Sequence, residues 1–193
     1  MKNILYTLLF FLLSAESYSQ TEVDMAADAT NHDIKSGTQY IKDINNYFGP
    51  FLGDWRYVDG NKEFRLHITK VSKTHIYFPA FNINYYTDEL KIRYEKYESG
   101  LLIFSSPETD FSSGITKEEG IVDMTFIDYE RTSAEPQLTL TLVPQTVQPH
   151  QLENRKILFK LDGFEIWNKH VYQPGESLFS VPNNIEMTWY PGP

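Results

Sequence analysis

Short segments in which apolar and polar residues alternate recur from Gly53 to the C-terminus, and this pattern constrains the fold more than any other feature. The alternation occurs in the segments 64–69, 90–95, 122–126, 138–142 and 185–189. A period of two places all the apolar side chains of a segment on one face of a β-strand. The sequence therefore predicts a β-rich domain whose strands are buried on one face only.

Less regular apolar runs raise the number of predicted strands to about ten. These runs are 55–58, 74–78, 82–86, 101–105 and 157–161. Two-residue turn sequences, Asp59-Gly60 and Ser99-Gly100, separate neighbouring strands and predict hairpins. Since no helix of useful length lies between the strands, parallel pairing through a crossover is excluded and an antiparallel meander is favoured. Such a meander curls into a barrel or folds as a sandwich.

The N-terminal residues 1–19 have the pattern of a cleaved signal peptide. Lys2 precedes an apolar run of ten residues, Ile4 to Leu13, and small residues follow it up to Ser19. The run is too short to span a bilayer, which takes about 20 residues. We therefore expect export, with cleavage near Ser19, to the periplasm or the outside of the cell.

The residues that follow divide into a lead-in and the start of a domain. Residues 20–37 are small, polar and mildly acidic, and are expected to form a flexible lead-in. Between Thr38 and Phe48, apolar residues fall three to four positions apart at Ile41, Ile44, Tyr47 and Phe48, which predicts a short helix. Gly49-Pro50 is expected to end it. A single domain is predicted over residues 38–193.

Composition narrows the classes of partner. The net charge of −9 gives a surface that repels phosphate, so nucleic acid and anionic membranes are not expected as partners. The absence of cysteine excludes disulfides and thiolate metal sites. No second apolar stretch approaches membrane length, so no membrane span is expected after signal cleavage.

No arrangement of residues indicates catalysis, a metal site or a cofactor. The five histidines are scattered without ligand spacing, and no serine lies in a Gly-x-Ser-x-Gly motif. His67 falls on the polar face of its strand and is interpreted as solvated. The carboxylate pairs Asp88-Glu89 and Glu118-Glu119 fall in predicted loops and are also interpreted as solvated. We therefore expect a protein that is not an enzyme.

A Gly-x-Trp motif, Gly53-Asp54-Trp55, opens the first of the alternating strands directly after the predicted helix. This arrangement resembles the start of a calycin, the superfamily of lipocalins and fatty-acid-binding proteins. With the signal peptide and the ending Val181 to Trp189, the chain also resembles small exported domains common in Bacteroidota. The resemblance implies a lipocalin-like antiparallel barrel with a short N-terminal helix, in which Trp55 closes one end. An arginine usually packs over that tryptophan, but the sequence does not assign one, although Arg155 lies beside a late strand.

The resemblance and the apolar strand faces together suggest a function. A barrel of about eight to ten strands holds one small ligand when side chains do not fill its interior. We expect a binding protein for a small hydrophobic or amphipathic molecule, with a cavity lined by Phe64, Leu66, Tyr94, Met124 and Phe126. The same residues would equally make a solid core. The alternative is therefore a protein or carbohydrate interaction module without an internal cavity.

Overall fold

The computed structural model describes residues 20–107, 115–131, 136–144, 155–162 and 177–192, without the side chains of 115–118. The signal peptide predicted at 1–19 lies outside the described residues, so its cleavage stays a prediction.

Eleven strands form a single sheet in the described part of the chain. They are β1 (Thr21–Asp24), β2 (Gln39–Lys42), β3 (Gly53–Asp59), β4 (Lys62–Phe78), β5 (Ile83–Glu98), β6 (Leu101–Ser105), β7 (Ile115–Glu118), β8 (Ile121–Thr125), β9 (Gln137–Leu142), β10 (Lys156–Asp162) and β11 (Ile185–Tyr190). Short 3₁₀ turns occur at Ala29–Asn31, Gly49–Phe51 and Pro79–Phe81. The β-rich class predicted from the alternation is confirmed.

From β3 onward the sheet is an antiparallel meander that curls on itself. The ladders join β3 to β4, β5 and β6 in succession, and β7 to β8, β9, β10 and β11. The last strand, β11, then pairs with β3, the first strand of the meander, with Trp189 opposite Trp55. In the residues described, no ladder joins β6 to β7. The fold is therefore a strongly curled, open half-barrel, whereas a closed barrel was expected.

Two predictions about the N-terminal region are wrong. The helix predicted between Thr38 and Phe48 is instead the strand β2 followed by a 3₁₀ turn, with Ile41 buried and Ile44 53% exposed. Parallel pairing, which was excluded, joins β1 to β2 and β2 to β5. The physical reason is that the chain returns from β2 to β5 through β3 and β4, so the crossover needs no helix. The lead-in, expected to be flexible, contributes β1 to this parallel ladder.

Two of the hairpin turns contain the glycines from which the turns were predicted. Ser99-Gly100 forms the predicted two-residue turn, with φ of 51° and 79°, as a type I′ turn requires. The first turn is one residue later than predicted, because Asp59 pairs with Lys62 and the loop is Gly60-Asn61. The β4–β5 hairpin is longer than predicted, since the runs 74–78 and 82–86 are the distal parts of these two strands.

The hydrophobic core lies on the inner face of the curled sheet. Its members come from alternate strand positions, as the period-two pattern requires. They include Phe64, Leu66 and Ile68 of β4, Leu90, Ile92 and Tyr94 of β5, Val122 and Met124 of β8, Leu138 and Leu140 of β9, and Ile157, Phe159 and Leu161 of β10. Burial of this area is the main source of stability, because the chain has no disulfide.

Candidate binding site

The five residues predicted to line a cavity are all buried in the core. The ring centroid of Tyr94 lies 5.9 Å from that of Phe64 and 5.3 Å from that of Phe126. Phe159, which sequence reasoning did not single out, completes a circuit at 5.5 Å from Phe64 and 5.7 Å from Phe126. These distances are typical of aromatic pairs in contact. Side chains therefore fill the interior of the half-barrel at this level.

One end of the half-barrel is closed around Trp55. The Trp55 side chain is fully buried, and its Nε1–H donates to the Phe51 carbonyl oxygen at 2.7 Å. The guanidinium of Arg155 lies 5.6 Å from the Trp55 ring and 5.3 Å from the Trp189 ring. Arg155 also donates from Nη1 to the Pro50 carbonyl at 3.2 Å, and burial lowers its pKa. This cation–π contact seals the end of the core at which Trp55 was expected.

Gly53 is required by the same closed end. Its φ is 110°, and a Cβ there would lie 2.9 Å from Trp189 Nε1. Both the backbone conformation and the close approach favour glycine over any other residue. The glycine of the Gly-x-Trp motif therefore has a local steric role.

A cleft of about 590 Å³ opens at the other end of the inner face, beside the β3–β4 turn. We call it the mouth cleft. It is lined by residues of β3 and β4 around their turn, residues 96–98 of β5, Ile103 of β6 and residues of the segment 177–182. Its buried apolar lining consists of Phe64, Phe179 and Val181, and its charged side chains are Asp59, Lys62, Glu63, Lys96 and Glu98. The cleft thus combines an apolar floor with a charged rim.

Polar contacts hold the segment 177–182 in place as one wall of the mouth cleft. Asp128, which is fully buried, accepts hydrogen bonds from the backbone N–H of Ser180 at 2.7 Å and from the Ser180 hydroxyl. Lys96 Nζ donates to the Ser180 carbonyl at 3.1 Å and to Glu130 at 2.7 Å. Burial and the nearby charge of Asp128 raise the pKa of Tyr94, so its phenol stays neutral and accepts from Tyr129 N–H at 3.1 Å. One wall of the cleft is therefore tied to the aromatic core.

The carboxylate pair Asp88-Glu89 was predicted to lie solvated in a loop, and this prediction is wrong. Both residues lie within β5 and are buried. The Asp88 carboxylate accepts hydrogen bonds from the Tyr40 hydroxyl, the backbone N–H groups of Asp43 and Lys73, each at 3.1 Å, and Lys70 Nζ at 3.2 Å. Burial acts to raise the pKa of Asp88, but these donors outweigh it and the pKa is lowered. The buried carboxylate therefore fastens β2 to the β4–β5 hairpin.

Of the second pair, Glu118 ends β7 rather than lying in a loop, and Glu119 is exposed in the turn that follows.

His67, interpreted as a solvated surface histidine, is held between two carboxylates on the outer face. Its Nδ1 lies 2.5 Å from Asp54 Oδ1, and its Nε2 lies 3.4 Å from Glu95 Oε2. Burial acts to raise the pKa of Glu95, but the hydrogen bond from the Tyr97 hydroxyl and the proximity of His67 and Arg93 lower it. The three groups are cross-strand neighbours brought together by the β3–β4–β5 register. Among the residues that the structure describes, no three acidic or histidine side chains form a metal-binding cluster.

The profile of one protein family matches residues 1–189. The chain belongs to DUF6705, a family of unknown function. No curated protein and no solved structure matches it significantly. Over the described residues, no helix has the length and apolar character needed to cross a membrane. Membership of this family therefore assigns no activity to the chain.

Proposed function

We propose that this protein is an exported, non-enzymatic binding protein that takes a small amphipathic molecule in the mouth cleft. The observation that carries the proposal is the cleft itself. Its volume of about 590 Å³ falls within the range of small-molecule sites, about 300 to 1,000 Å³. Such sites are mostly apolar with a few polar groups that orient the ligand.

The position of the cleft defines how a ligand would lie. The aromatic circuit blocks deeper entry, so the apolar part of the ligand rests against Phe64, Phe179 and Val181 at the floor. The polar part stays at the rim, where Lys62 is exposed and forms no ion pair within the described residues. Of the five residues first expected to line a cavity, Phe64 is the one that lines this cleft. The hypothesis of an internal ligand is thus replaced by binding at the mouth.

Two features support the hypothesis that this fold is calycin-like. The first and last strands of the antiparallel meander are neighbours, as in an up-and-down barrel. Arg155 packs over Trp55, which is the contact that the calycin resemblance implies for the closed end. Both features accord with a scaffold that binds a ligand at its opposite, open end.

A titration with a fluorescent fatty-acid analogue tests the proposal. We expect saturable binding to delipidated protein, with about tenfold weaker affinity for Ile103→Asp, because a charge replaces an apolar lining side chain; tenfold corresponds to about 1.4 kcal/mol. Val58→Asp is the matched control, since Val58 is 54% exposed against 56% for Ile103 but does not line the cleft. Equal weakening by both variants, or no saturable binding by fatty acids, haems or aromatic metabolites, would refute the proposal.

The alternative function, an interaction module for another polypeptide, is supported by one observation. Strand β6 exposes three consecutive apolar side chains.

A further inference from the structure

Strands β4 and β5 continue beyond the rest of the sheet as a two-stranded arm. In the described part of the chain, the ladder from β4 to β3 ends at Ile68, and the ladder from β5 to β2 begins at Tyr86. The loop 34–37 adds two backbone hydrogen bonds, both to Asn84. Residues 77–83 form the end of this arm, and we call them the arm tip.

The arm tip exposes aromatic side chains on both of its faces and at its end. Phe81 is 76% exposed, Tyr77 is 57% exposed and Phe78 is 41% exposed. Tyr77 and Phe78 are successive residues of β4 and point to opposite faces, while Phe81 lies in the 3₁₀ turn that joins the two strands. No residue from 71 to 84 is buried, so these rings do not belong to the core. A group of exposed apolar side chains of this kind marks an interaction site.

Polarity increases in steps along the arm, away from the tip. The tip sequence Tyr-Phe-Pro-Ala-Phe-Asn-Ile has no charged residue, and the stretch 64–87 has no aspartate or glutamate, although the chain contains 26. Behind the tip the rings of His75 and Tyr86 stack with centroids 4.6 Å apart, and Lys73 Nζ lies 6.0 Å from the Tyr86 centroid. Apolar groups, then phenol and imidazole, then ammonium is the order of polarity met on leaving a lipid bilayer, where tyrosine and lysine lie at the interface.

We propose that the arm tip inserts into the surface of a zwitterionic phospholipid bilayer and holds the protein there without crossing the membrane. The distribution of the rings favours lipid over a polypeptide or a polysaccharide. A rigid partner covers one face of a hairpin, whereas a fluid surrounds its end and covers Tyr77, Phe78 and Phe81 together. The absence of carboxylates supports the same partner, because a charged carboxylate would have to lose water on insertion.

The backbone of the arm tip is suited to a site with little water. Phe78 pairs with Ile83, and the Asn82 N–H donates to the Pro79 carbonyl oxygen at 3.1 Å. These internal hydrogen bonds lower the cost of moving the turn out of water. Shallow insertion of apolar side chains at the level of the headgroups is also how amphipathic segments bind membrane surfaces.

The docked orientation leaves the mouth cleft away from the lipid. β5 begins at the arm tip with Ile83 and ends at Glu98, which lines the cleft. At about 3.3 Å per residue, these two ends lie roughly 50 Å apart along the strand. Bilayer docking therefore does not depend on ligand binding at the cleft.

A single fluorescent label locates the insertion. The chain has no cysteine, so Phe81→Cys and Leu101→Cys each provide one site for a nitrobenzoxadiazole label. Leu101 is the matched control, because it is 72% exposed but follows the far end of β5. On addition of phosphatidylcholine vesicles, the emission of the label at 81 should shift to the blue and be quenched by spin-labelled lipid. The emission of the label at 101 should not change.

Co-sedimentation with the same vesicles measures the strength of binding. Phe81→Ser should lower the partition coefficient about tenfold, because the ring is no longer removed from water. Leu101→Ser and the cleft variant Ile103→Asp should leave the partition coefficient unchanged. Binding should persist at high salt, since screening weakens contacts between charges but not apolar insertion. Circular dichroism melts establish that the variants fold, and mass spectrometry establishes that all have the same first residue, because a retained signal segment would itself bind lipid.

Three results would overturn the docking: no binding of the wild type to phosphatidylcholine vesicles, equal binding by Phe81→Ser, or an equal shift of the labels at 81 and 101. Adsorption to anionic vesicles alone, lost at high salt, would also overturn it, as would a tip that binds a polypeptide or polysaccharide but no vesicle. Weaker vesicle binding by Phe81→Ser, with an unchanged titration of the fatty-acid analogue, would support docking independently of the mouth cleft.

Discussion

Replacement of Trp55 is the sharpest test of how the closed end of the half-barrel is built. The indole is fully buried, its N–H donates to the Phe51 carbonyl, and Arg155 packs over its ring. Trp55→Ala removes all three contacts and leaves a cavity. Trp55→Phe keeps an aromatic ring but leaves the Phe51 carbonyl without its donor.

The expected magnitudes follow from these contacts. Truncation of a buried tryptophan to alanine costs about 3 to 5 kcal/mol of unfolding free energy. A lost hydrogen bond to a buried carbonyl costs about 1 to 3 kcal/mol. The loss of unfolding free energy should therefore be smaller for Trp55→Phe than for Trp55→Ala. For a chain of this length about 1 kcal/mol shifts the melting temperature by roughly 2 to 4 °C, so the alanine variant should melt roughly 6 to 20 °C lower.

Thermal and urea unfolding of the purified variants provide the measurement. Trp189→Ala is the control, because Trp189 also contacts Arg155 but is only partly buried, and it should cost less than Trp55→Ala. If Trp55→Ala melted within about 2 °C of wild type, or if Trp189→Ala cost as much, Trp55 would not be the anchor of the closed end.

Three further measurements test other parts of the structure. Asp88→Asn should cost about 2 to 4 kcal/mol of unfolding free energy at pH 7. Because the folded-state pKa of Asp88 is lowered, the stabilisation by its carboxylate is present above the unfolded pKa of about 3.9 and is lost as the pH falls through the folded pKa. The stabilities of wild type and variant should therefore converge in acid. A constant difference between them down to pH 2 would contradict the buried-carboxylate role. Gly53→Ala should destabilise the protein by more than about 1 kcal/mol, because φ is 110° and the added Cβ meets Trp189, whereas Gly60→Ala, with open space around it, should cost less; equal costs would count against the packing argument. Mass spectrometry of the exported product should show Gln20 as the first residue, and an intact Met1 on that product would disprove signal cleavage.

Much of the fold follows from local pattern. The period-two segments predicted where the later strands lie and which of their side chains point inward, and Ser99-Gly100 predicted a turn of the right length. These features depend on neighbouring residues alone, which is why they are readable from the chain. The helix predicted between Thr38 and Phe48 failed because Ile41 and Ile44 have helical spacing, while the backbone of β2 finds its hydrogen bonds on β5. That partner lies outside any local window.

In the candidate site, too, some features follow from local sequence and others depend on residues distant in the chain. The apolar character of Phe64, Tyr94 and Phe126 was evident from the sequence, but not whether they surround a cavity or touch one another. Likewise, His67 was interpreted as solvated because Asp54 and Glu95 approach it only from neighbouring strands.

What the sequence determined by itself is the strand content, the inward and outward faces, and the Gly-x-Trp motif at Gly53 and Trp55. Only the tertiary structure decided that Arg155 packs over Trp55, that Phe159 completes the aromatic circuit, and that segment 177–182 borders the mouth cleft. The sequence also shows that β6 is uncharged, but not that it is an edge. Edges, clefts and ring contacts depend on strand order, and strand order arises from pairings between residues distant in the chain, on which local propensity has no influence.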